Sequence, residues 1–540
     1  MSTASTTFPA VAAPGRPRAN KWLVTVAVSF GTLMGAIDMS IVNVALPQIR
    51  GAVGATVQEI TWISTGFVIA TVVVMPLTAF LGRFFGQKRV YLASLALFIA
   101  GSALCGIAGS LEALVFYRVL QGFGAGALQP TEQAILRQTF PPEEQGMAMA
   151  LFAMAVLVGP AVGPTLGGYI VDHSHWSWIF LINLPIGVLG FFLVVRFVEE
   201  PDDIRAANRD AAAQQRKNLD WQGIALMSVG LATLQYVLEE GQRNDWFESR
   251  LITGCVITAI LALAGFIWRE LTAPMPAVNL RLFRDPVFSS ATFIAGVVYA
   301  MLMASLFLLP IFMQEMLGFT AMQSGIALMP RVGFMLLVTP VVGRIYNRVS
   351  PALLVGIGLV LGAIGSVMLG HVTLRTTSAG ILFPLALQGV GFGFLFVPLI
   401  TAALSRVDRA RATDATGLNS LIRQIGGSVG LAVFATLLSR YQVHARNAVM
   451  AHVTPENPLV AERLSLLQAG LVTRGGFDAV TAKQAALAAL NLQVAQEAAV
   501  LAFEKVFLVL AVLFFAVLPL LLFLRSDRRP GGKPHLEMEM

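Results

Sequence analysis

Fourteen runs of about twenty mostly apolar residues recur along the chain, beginning near Trp22, Trp62, Val90, Ala113, Ala148, Trp178, Gly223, Leu251, Val287, Ser324, Leu353, Ile381, Leu418 and Val506. A helix rises 1.5 Å per residue, so roughly 20 residues cross the ~30 Å of hydrocarbon in a bilayer. Lipid offers no hydrogen bonds to the backbone, so runs of this length that span a membrane do so as helices. The spacing therefore predicts an all-α polytopic membrane protein with 14 transmembrane helices. Composition agrees: 56% of the 540 residues are hydrophobic and 12% are charged, where a soluble domain carries about 25% charge. Two cysteines, Cys105 and Cys255, lie inside apolar runs and support neither a disulfide framework nor a thiolate metal site. The first run lacks a small-residue cleavage site, so it reads as a retained span preceded by a disordered cytoplasmic tail, 1–21.

Basic residues orient the spans, because Lys and Arg stay preferentially in cytoplasmic loops. With the amino terminus inside, 24 of the 37 basic residues fall on the inner side, and the short outer loops hold only Arg50, Arg243, Arg250 and Arg375. Three lie within spans: Arg118, Arg331 and Arg423. An even number of spans with both termini cytoplasmic gives this split. The net charge of +7 is thus mostly an orientation signal, and no nucleic-acid partner is needed to explain it.

A repeat lies beneath the pattern. The stretch LQGFGAGALQP (Leu120–Pro130) resembles LQGVGFGFLFVP (Leu387–Pro398), with Gln121 and Gln388 separated by 267 residues. Pro76 and Pro340 are 264 apart, and Pro47 and Pro310 are 263 apart. A shared offset implies duplication, with spans one to six matching spans nine to fourteen. The expected organisation is an N-terminal six-helix half over 22–200, a linker with two extra helices over 201–286, and a C-terminal half over 287–525. The C-terminal half includes an outer loop at 439–505, and a cytoplasmic tail follows at 526–540. Two parallel six-helix repeats are the plan of the major facilitator fold, with substrate held between them near the midplane.

Polar residues inside such spans are candidates for function, since each is costly there. Asp38, in GAIDMSIVNVALPQI, is the acid nearest the middle of a span, and insertion scales put such a residue at about 2.5–3.5 kcal/mol. Gly31, Gly35 and Asp38 share one helical face. A buried carboxylate takes up or releases a proton according to what faces it, which makes Asp38 the first proton-coupling candidate. Arg118 either snorkels to the interface or faces the cavity to polarise an acid. Glu132, near the inner end of span four, is a further acid that reads either as a second proton site or as an exposed cap. Asn43, Gln121, Arg331 and Gln388 are the polar candidates for lining a substrate cavity, and Arg423 reads as a ligand of lipid phosphate or of a helix C-terminus.

The stretch GPAVGPTLGG places Gly159, Pro160, Gly163, Pro164, Gly167 and Gly168 in one span. Small residues let helices approach closely in lipid, and prolines remove backbone donors. A packing seam and a hinge that seals one face of a cavity both follow. The turn LGRFFGQKRVY carries Arg83, Gly86, Lys88 and Arg89 between spans two and three, as a topology anchor or a gating latch. Its order does not match a phosphate-binding loop, and the Gly-x-Gly elements at Gly122 and Gly389 lie inside spans with no βαβ unit around them. No catalytic constellation is visible, so the reading is not an enzyme and needs no cofactor beyond a proton gradient.

In this order, IDMSIVNVALP, RVLQGFGAG, GPAVGPTLGG, HWSWIFLINLPIG and RDPVFSSATFIAG resemble the drug:proton antiporters of the major facilitator superfamily, in the fourteen-span EmrB/QacA-type branch. The resemblance covers nearly the whole chain. It implies proton-driven export of hydrophobic or amphipathic compounds by alternating access, with Asp38 as proton site, Arg118 as its helper and the glycines and prolines of span five as antiporter hinge. It implies a bacterial inner-membrane protein whose partners are drug-like molecules, protons and lipid. The helix-forming outer loop 439–505 reads as a cap or as a docking surface for a periplasmic adaptor that leads to an outer-membrane channel. One departure bears on the mechanism: Arg83 stands where the superfamily usually has Asp, and Asn347 stands at the matching place in the second half. An exporter specialised to one antibiotic or metabolite is the alternative within this fold, and a non-transporting receptor or channel is the alternative outside it.

Overall fold

The computed structural model describes residues 20–201, 204–206, 220–273, 276–374 and 376–524. Most of both predicted tails, at 1–19 and 525–540, lies outside the described residues. The fold is a bundle of long helices: α1 (Lys21–Val53), α2 (Trp62–Phe85), α3 (Gln87–Gly106), α4 (Leu111–Thr139), α5 (Gln145–His173) and α6 (Trp178–Phe197). Then come the inserted pair α7 (Trp221–Glu240) and α8 (Arg250–Thr272), followed by α9 (Pro286–Ile311), α10 (Ala321–Ile345), α11 (Pro351–Leu369), α12 (Ser378–Ser405), α13 (Ala412–Met450), α14 (Pro458–Gly475) and α15 (Ala479–Val517).

Among the described residues, thirteen helices are long and apolar enough to cross a membrane. The fourteenth predicted span, α4, is long enough at 29 residues but carries Glu112, Arg118, Glu132 and Arg137. Glu112 and Arg137 lie in its end turns, while Arg118 and Glu132 are buried among neighbouring helices, so it tolerates charge that a lipid-facing helix could not. The other difference lies at 439–505. The flanking helices do not stop where their apolar residues thin out: α13 runs on to Met450 and α15 starts at Ala479, with α14 between them. Ala-, Gln- and Leu-rich sequence keeps helix propensity high without needing lipid.

Local chemistry marks the ends. Asp285 accepts from the N–H groups of Val287 and Phe288, with Pro286 in the first turn of α9. Thr320 and Gln323 form a reciprocal capping box at the start of α10. Gly86 turns the chain from α2 into α3 at φ +83°, a conformation that glycine adopts without a Cβ clash.

Helices α1–α6 pack in a pattern that α9–α13 and α15 repeat. The pairs α1·α5, α2·α4, α3·α4 and α3·α6 correspond to α9·α13, α10·α12, α11·α12 and α11·α15. The two sets meet along α5·α10, where a Cβ on Gly146 would lie 2.5 Å from the Gly343 carbonyl oxygen. At the matching seam, α2 meets α13 directly at one end only, and α7 packs on both at the other. The end where α1 begins gathers Lys21, Arg83, Lys88, Arg137 and Arg409, and is called the basic end below.

Candidate functional site

The glycines of α4 explain how a polar cluster can form inside the first helix set. Cβ atoms added at Gly122 and Gly126 would lie 2.5 and 2.6 Å from the carbonyl oxygens of Phe67 and Thr71 on α2. At Gly124, on the opposite face, the clash would be with the Phe98 nitrogen of α3, at 2.6 Å. The alternate glycines thus bring α2 and α3 onto α4 at backbone distance, and the side chains one and two turns earlier are forced together.

Those side chains are Gln121 and Arg118, which meet Asp38 of α1; Asp38, Arg118 and Gln121 are 0%, 1% and 0% exposed. Arg118 Nη1 donates to Asp38 Oδ2 at 2.6 Å and to Gln121 Oε1 at 2.7 Å, while its Nε donates to the Ile63 carbonyl at 3.1 Å. Gln121 Nε2 donates to Asp38 Oδ1 at 3.0 Å and to Ser102 Oγ at 2.6 Å. Asn183 Nδ2, on α6, donates to the same Oδ1 at 2.9 Å and to Ser102 Oγ at 3.2 Å. The guanidinium lies over the Phe67 ring, 4.1 Å from its centroid. Asp38 therefore faces three donors from two other helices, the surroundings of a charged carboxylate. The snorkelling reading of Arg118 is corrected here, because its partners are in the protein interior. Asn183 and Ser102 complete the cluster and were not singled out by sequence reasoning. The signal for Asn183 is one amide within the apolar run WIFLINLPIG, and serines as common as Ser102 give none.

The glycine-rich strip of α5 packs on the stretch of α1 that holds Asp38. Cβ atoms at Gly159, Gly163 and Gly167 would meet Ala36 at 2.4 Å, Ser40 at 2.5 Å and Ile41 at 2.8 Å, whereas one at Gly168 meets nothing within 4 Å. Pro164 is half-buried, and α5 stays helical through it. The side chain of Pro160 lies outside the described ones.

Glu132 is fully buried, and the exposed-cap reading is corrected: Ser29 Oγ, on α1, donates to its Oε1 at 3.0 Å. It is not part of the Asp38 cluster. Asn43 is exposed near the end of α1 opposite the basic end and accepts from Ser64 Oγ at 3.1 Å.

In the second helix set, Gln388 and Arg331 come together. Arg331 Nη1 donates to Ser305 Oγ at 2.9 Å and its guanidinium lies 5.0 Å from the Phe392 centroid, while Gln388 Nε2 donates to Ser366 Oγ at 3.0 Å. The 267-residue offset that relates Gln121 to Gln388 also relates Asp38 to Ser305, so this set repeats the frame with a hydroxyl in place of the acid.

At the basic end, Arg83 Nη1 donates to Asp414 Oδ1 at 2.6 Å, Arg83 Nη2 to the Ala277 carbonyl at 3.2 Å and Gln87 Nε2 to Thr413 Oγ1 at 2.6 Å. Lys88 Nζ donates to the Val195 carbonyl at 2.9 Å, Gly86 packs on Glu200, and Arg89 is exposed. Gln133–Ser420 and Asn347 to the Glu143 carbonyl also join the two sets. Arg423 does not face lipid: it is 3% exposed and donates to Gln129 Oε1 of α4 at 3.3 Å.

Comparisons with known proteins agree with this architecture. A family model described as Major Facilitator Superfamily matches residues 28–431. The "Fatty acid resistance protein FarB" of Neisseria gonorrhoeae is 33% identical over 513 residues, covering 95% of this chain and 97% of that protein. The "Multidrug export protein EmrB" of Escherichia coli (strain K12) is 30% identical over 515 residues, covering 94% and 96%. Among solved structures, the proton:xylose symporter XylE superposes with a TM-score of 0.57 at 12% identity, over 92% of this chain and 95% of that one. The human organic anion transporter MFSD10 gives a TM-score of 0.55 at 15% identity, over 93% and 100%; these two likenesses concern the fold alone. With a family model across most of its length, relatives matched almost end to end and two packed helix sets enclosing buried polar clusters, this multi-pass membrane protein belongs to the major facilitator superfamily.

Proposed function

We propose that the chain exports hydrophobic or amphipathic compounds by alternating access, driven by proton entry, in the inner membrane of a bacterium with both termini cytoplasmic. The observation that carries this reading is the Asp38–Arg118 pair, fully buried inside a membrane helix set and braced by Gln121, Asn183 and Ser102. A proton arriving at Asp38 competes directly with Arg118, because the carboxyl oxygen that accepts the guanidinium loses charge on protonation. Release of Arg118 then unbinds α1 from α4, and the strip Gly159, Gly163 and Gly167 of α5 is placed to follow α1. Glu132, buried between α4 and α1, is a second proton site on the same helix pair.

Substrate binds between the helix sets; Asn43 is exposed, and Gln121, Arg331 and Gln388, each buried inside its own set, are polar groups that meet substrate only when the helices around them part. The basic end is closed by Arg83–Asp414 and Gln87–Thr413, so alternation needs this latch to open on the cytoplasmic side. The names of the relatives, a multidrug export protein and a fatty acid resistance protein, support export of varied apolar compounds. The helical hairpin of α13, α14 and α15 outside the apolar zone is the docking surface for a periplasmic adaptor.

The test is proton flux in proteoliposomes holding the purified chain. Adding an amphipathic drug to a vesicle with an imposed pH gradient drives proton movement in the wild type, and Asp38→Asn abolishes it while drug binding persists. Unchanged drug-dependent flux in Asp38→Asn sinks the reading. A toxicity panel in a pump-deficient host separates a broad exporter from a specialist, since a specialist protects against one compound.

A further inference from the structure

Three arginines are buried within the spanning helices: Arg118, Arg331 and Arg423. Arg118 is matched by Asp38. Among the described residues no carboxylate pairs with Arg331 or Arg423. The buried acids of the two helix sets are engaged elsewhere: Glu132 accepts from Ser29, and Asp414 is paired with Arg83. A guanidinium cannot shed its charge, and burying it without a counter-ion carries a large desolvation penalty. Two such groups in one helix set call for an anion that the chain itself does not supply.

Arg423 is the one that lies at the seam of the two sets, against Gln129 and Phe152 of the first. Its single hydrogen bond crosses that seam, to Gln129 Oε1 at 3.3 Å. Its Nε and Nη1 have no partner. The Phe152 ring of α5 and the Tyr299 ring of α9 flank it, 5.7 and 5.9 Å from the guanidinium carbon. Gln129 and Tyr299 are only half-buried although both sit in the middle of long helices. Asn419 Oδ1 and Gln133 Oε1 are further buried atoms without a partner, Asn419 one turn before Arg423 on α13 and Gln133 one turn beyond Gln129 on α4.

We propose that Arg423, with Gln129 beside it, is a carboxylate-binding subsite for an amphipathic monoanion. The fork of Nε and Nη1 matches the two oxygens of a carboxylate, and Phe152 and Tyr299 accept the apolar body next to it. This deepens the export reading by naming a substrate class, and rests on that reading for its role in transport; binding itself is measurable without transport.

The experiment is equilibrium dialysis of the detergent-purified full chain against three probes with one tail: octanoate, octanamide and octyltrimethylammonium. Wild type binds octanoate above the other two. Arg423→Gln lowers octanoate affinity at least ~10-fold, as loss of a charge-assisted pair does, and leaves octanamide within about twofold. Gln129→Glu is the second variant. It places a carboxylate beside Arg423 within the chain, so it is expected to raise the thermal midpoint while displacing octanoate to the same extent. Octanoate binding that survives Gln129→Glu, an equal fall for all three probes in both variants, or a loss in Arg331→Gln with none in Arg423→Gln overturns the proposal. Binding that behaves as stated, with no transport of any probe in proteoliposomes, keeps the subsite and overturns the export reading instead.

Discussion

Arg83 and Asp414 stand 331 residues apart and meet at 2.6 Å, the first from the last turn of α2 and the second from the first turn of α13. The same guanidinium reaches the Ala277 carbonyl, in the segment between the inserted pair and the second helix set. One side chain thus ties α2 to two other parts of the chain. The acid that the superfamily usually carries at this loop is absent, and an acid from the opposite set takes the complementary place, with the charges exchanged. Asp414 also lies at a helix N-terminus, where negative charge is favoured.

If this pair holds the basic end shut, Asp414→Asn loosens it and the exchanged variant Arg83→Asp/Asp414→Arg restores much of it. The pair is largely buried, with side-chain exposures of 19% and 7%, so breaking it costs about 2 kcal/mol, between the surface and buried cases. A cysteine placed at Gln133, in a background without native cysteines, reads the closure through its rate of thiol labelling. The expected order is slow in the parent, faster in Asp414→Asn and slow again in the exchanged variant.

Asn183 braces Asp38 from α6, so Asn183→Ala removes one of the three donors to the carboxylate. A hydrogen bond to a charged group contributes about 1.5–3 kcal/mol. The variant is expected to unfold at lower temperature and to slow drug-driven proton flux by several-fold, and Asn183→Gln fails to rescue it because the longer side chain overshoots. Thermal unfolding and vesicle flux, measured together, check both halves of this statement.

Gly163 and Gly168 belong to one motif, yet the structure separates them. A methyl group at Gly163 would lie 2.5 Å from Ser40 Cβ, whereas one at Gly168 meets nothing within 4 Å. Overpacking costs about 1–3 kcal/mol, more than the gain of up to ~1 kcal/mol in helix propensity on replacing glycine by alanine. Gly163→Ala is expected to lower the thermal midpoint and Gly168→Ala to hold or raise it.

Glu240 accepts hydrogen bonds from Thr61, just before α2, and from Thr65 of α2, both at 3.1 Å. Glu240→Ala leaves both hydroxyls without this acceptor and is expected to cost about 1–3 kcal/mol. A double-mutant cycle with Thr65→Val gives a coupling above ~0.5 kcal/mol if the contact is direct.

The helices and the charge asymmetry of their ends were legible because lipid imposes a length and a polarity on every span. Asp38, Arg118 and Gln121 could be picked out for the same reason, since each is an exception inside an apolar run. What joins them could not be read: Asn183 and Ser102 are ordinary residue types, and their role comes from helices far apart in sequence. Arg83 was visible as a departure from a family pattern, while Asp414 gave no sign of being its partner. Glu132 misled because a carboxylate near a helix end is usually solvated, and only the crossing of α1, with Ser29, buries it.

Glu239 and Glu240 are neighbours on α7, and successive residues on a helix point about 100° apart. That angle lets one turn of the inserted helix serve two masters. Glu240 is held by α2, while Glu239 accepts from Ser428 of α13 at 3.3 Å and Trp246, just past the helix, donates to Thr436 at 3.1 Å. Any parting of α2 from α13 at that end must therefore leave α7 attached to one and released by the other. The insert makes the motion of the two repeats unequal: one of them travels with an extra hairpin on its flank and the other travels light.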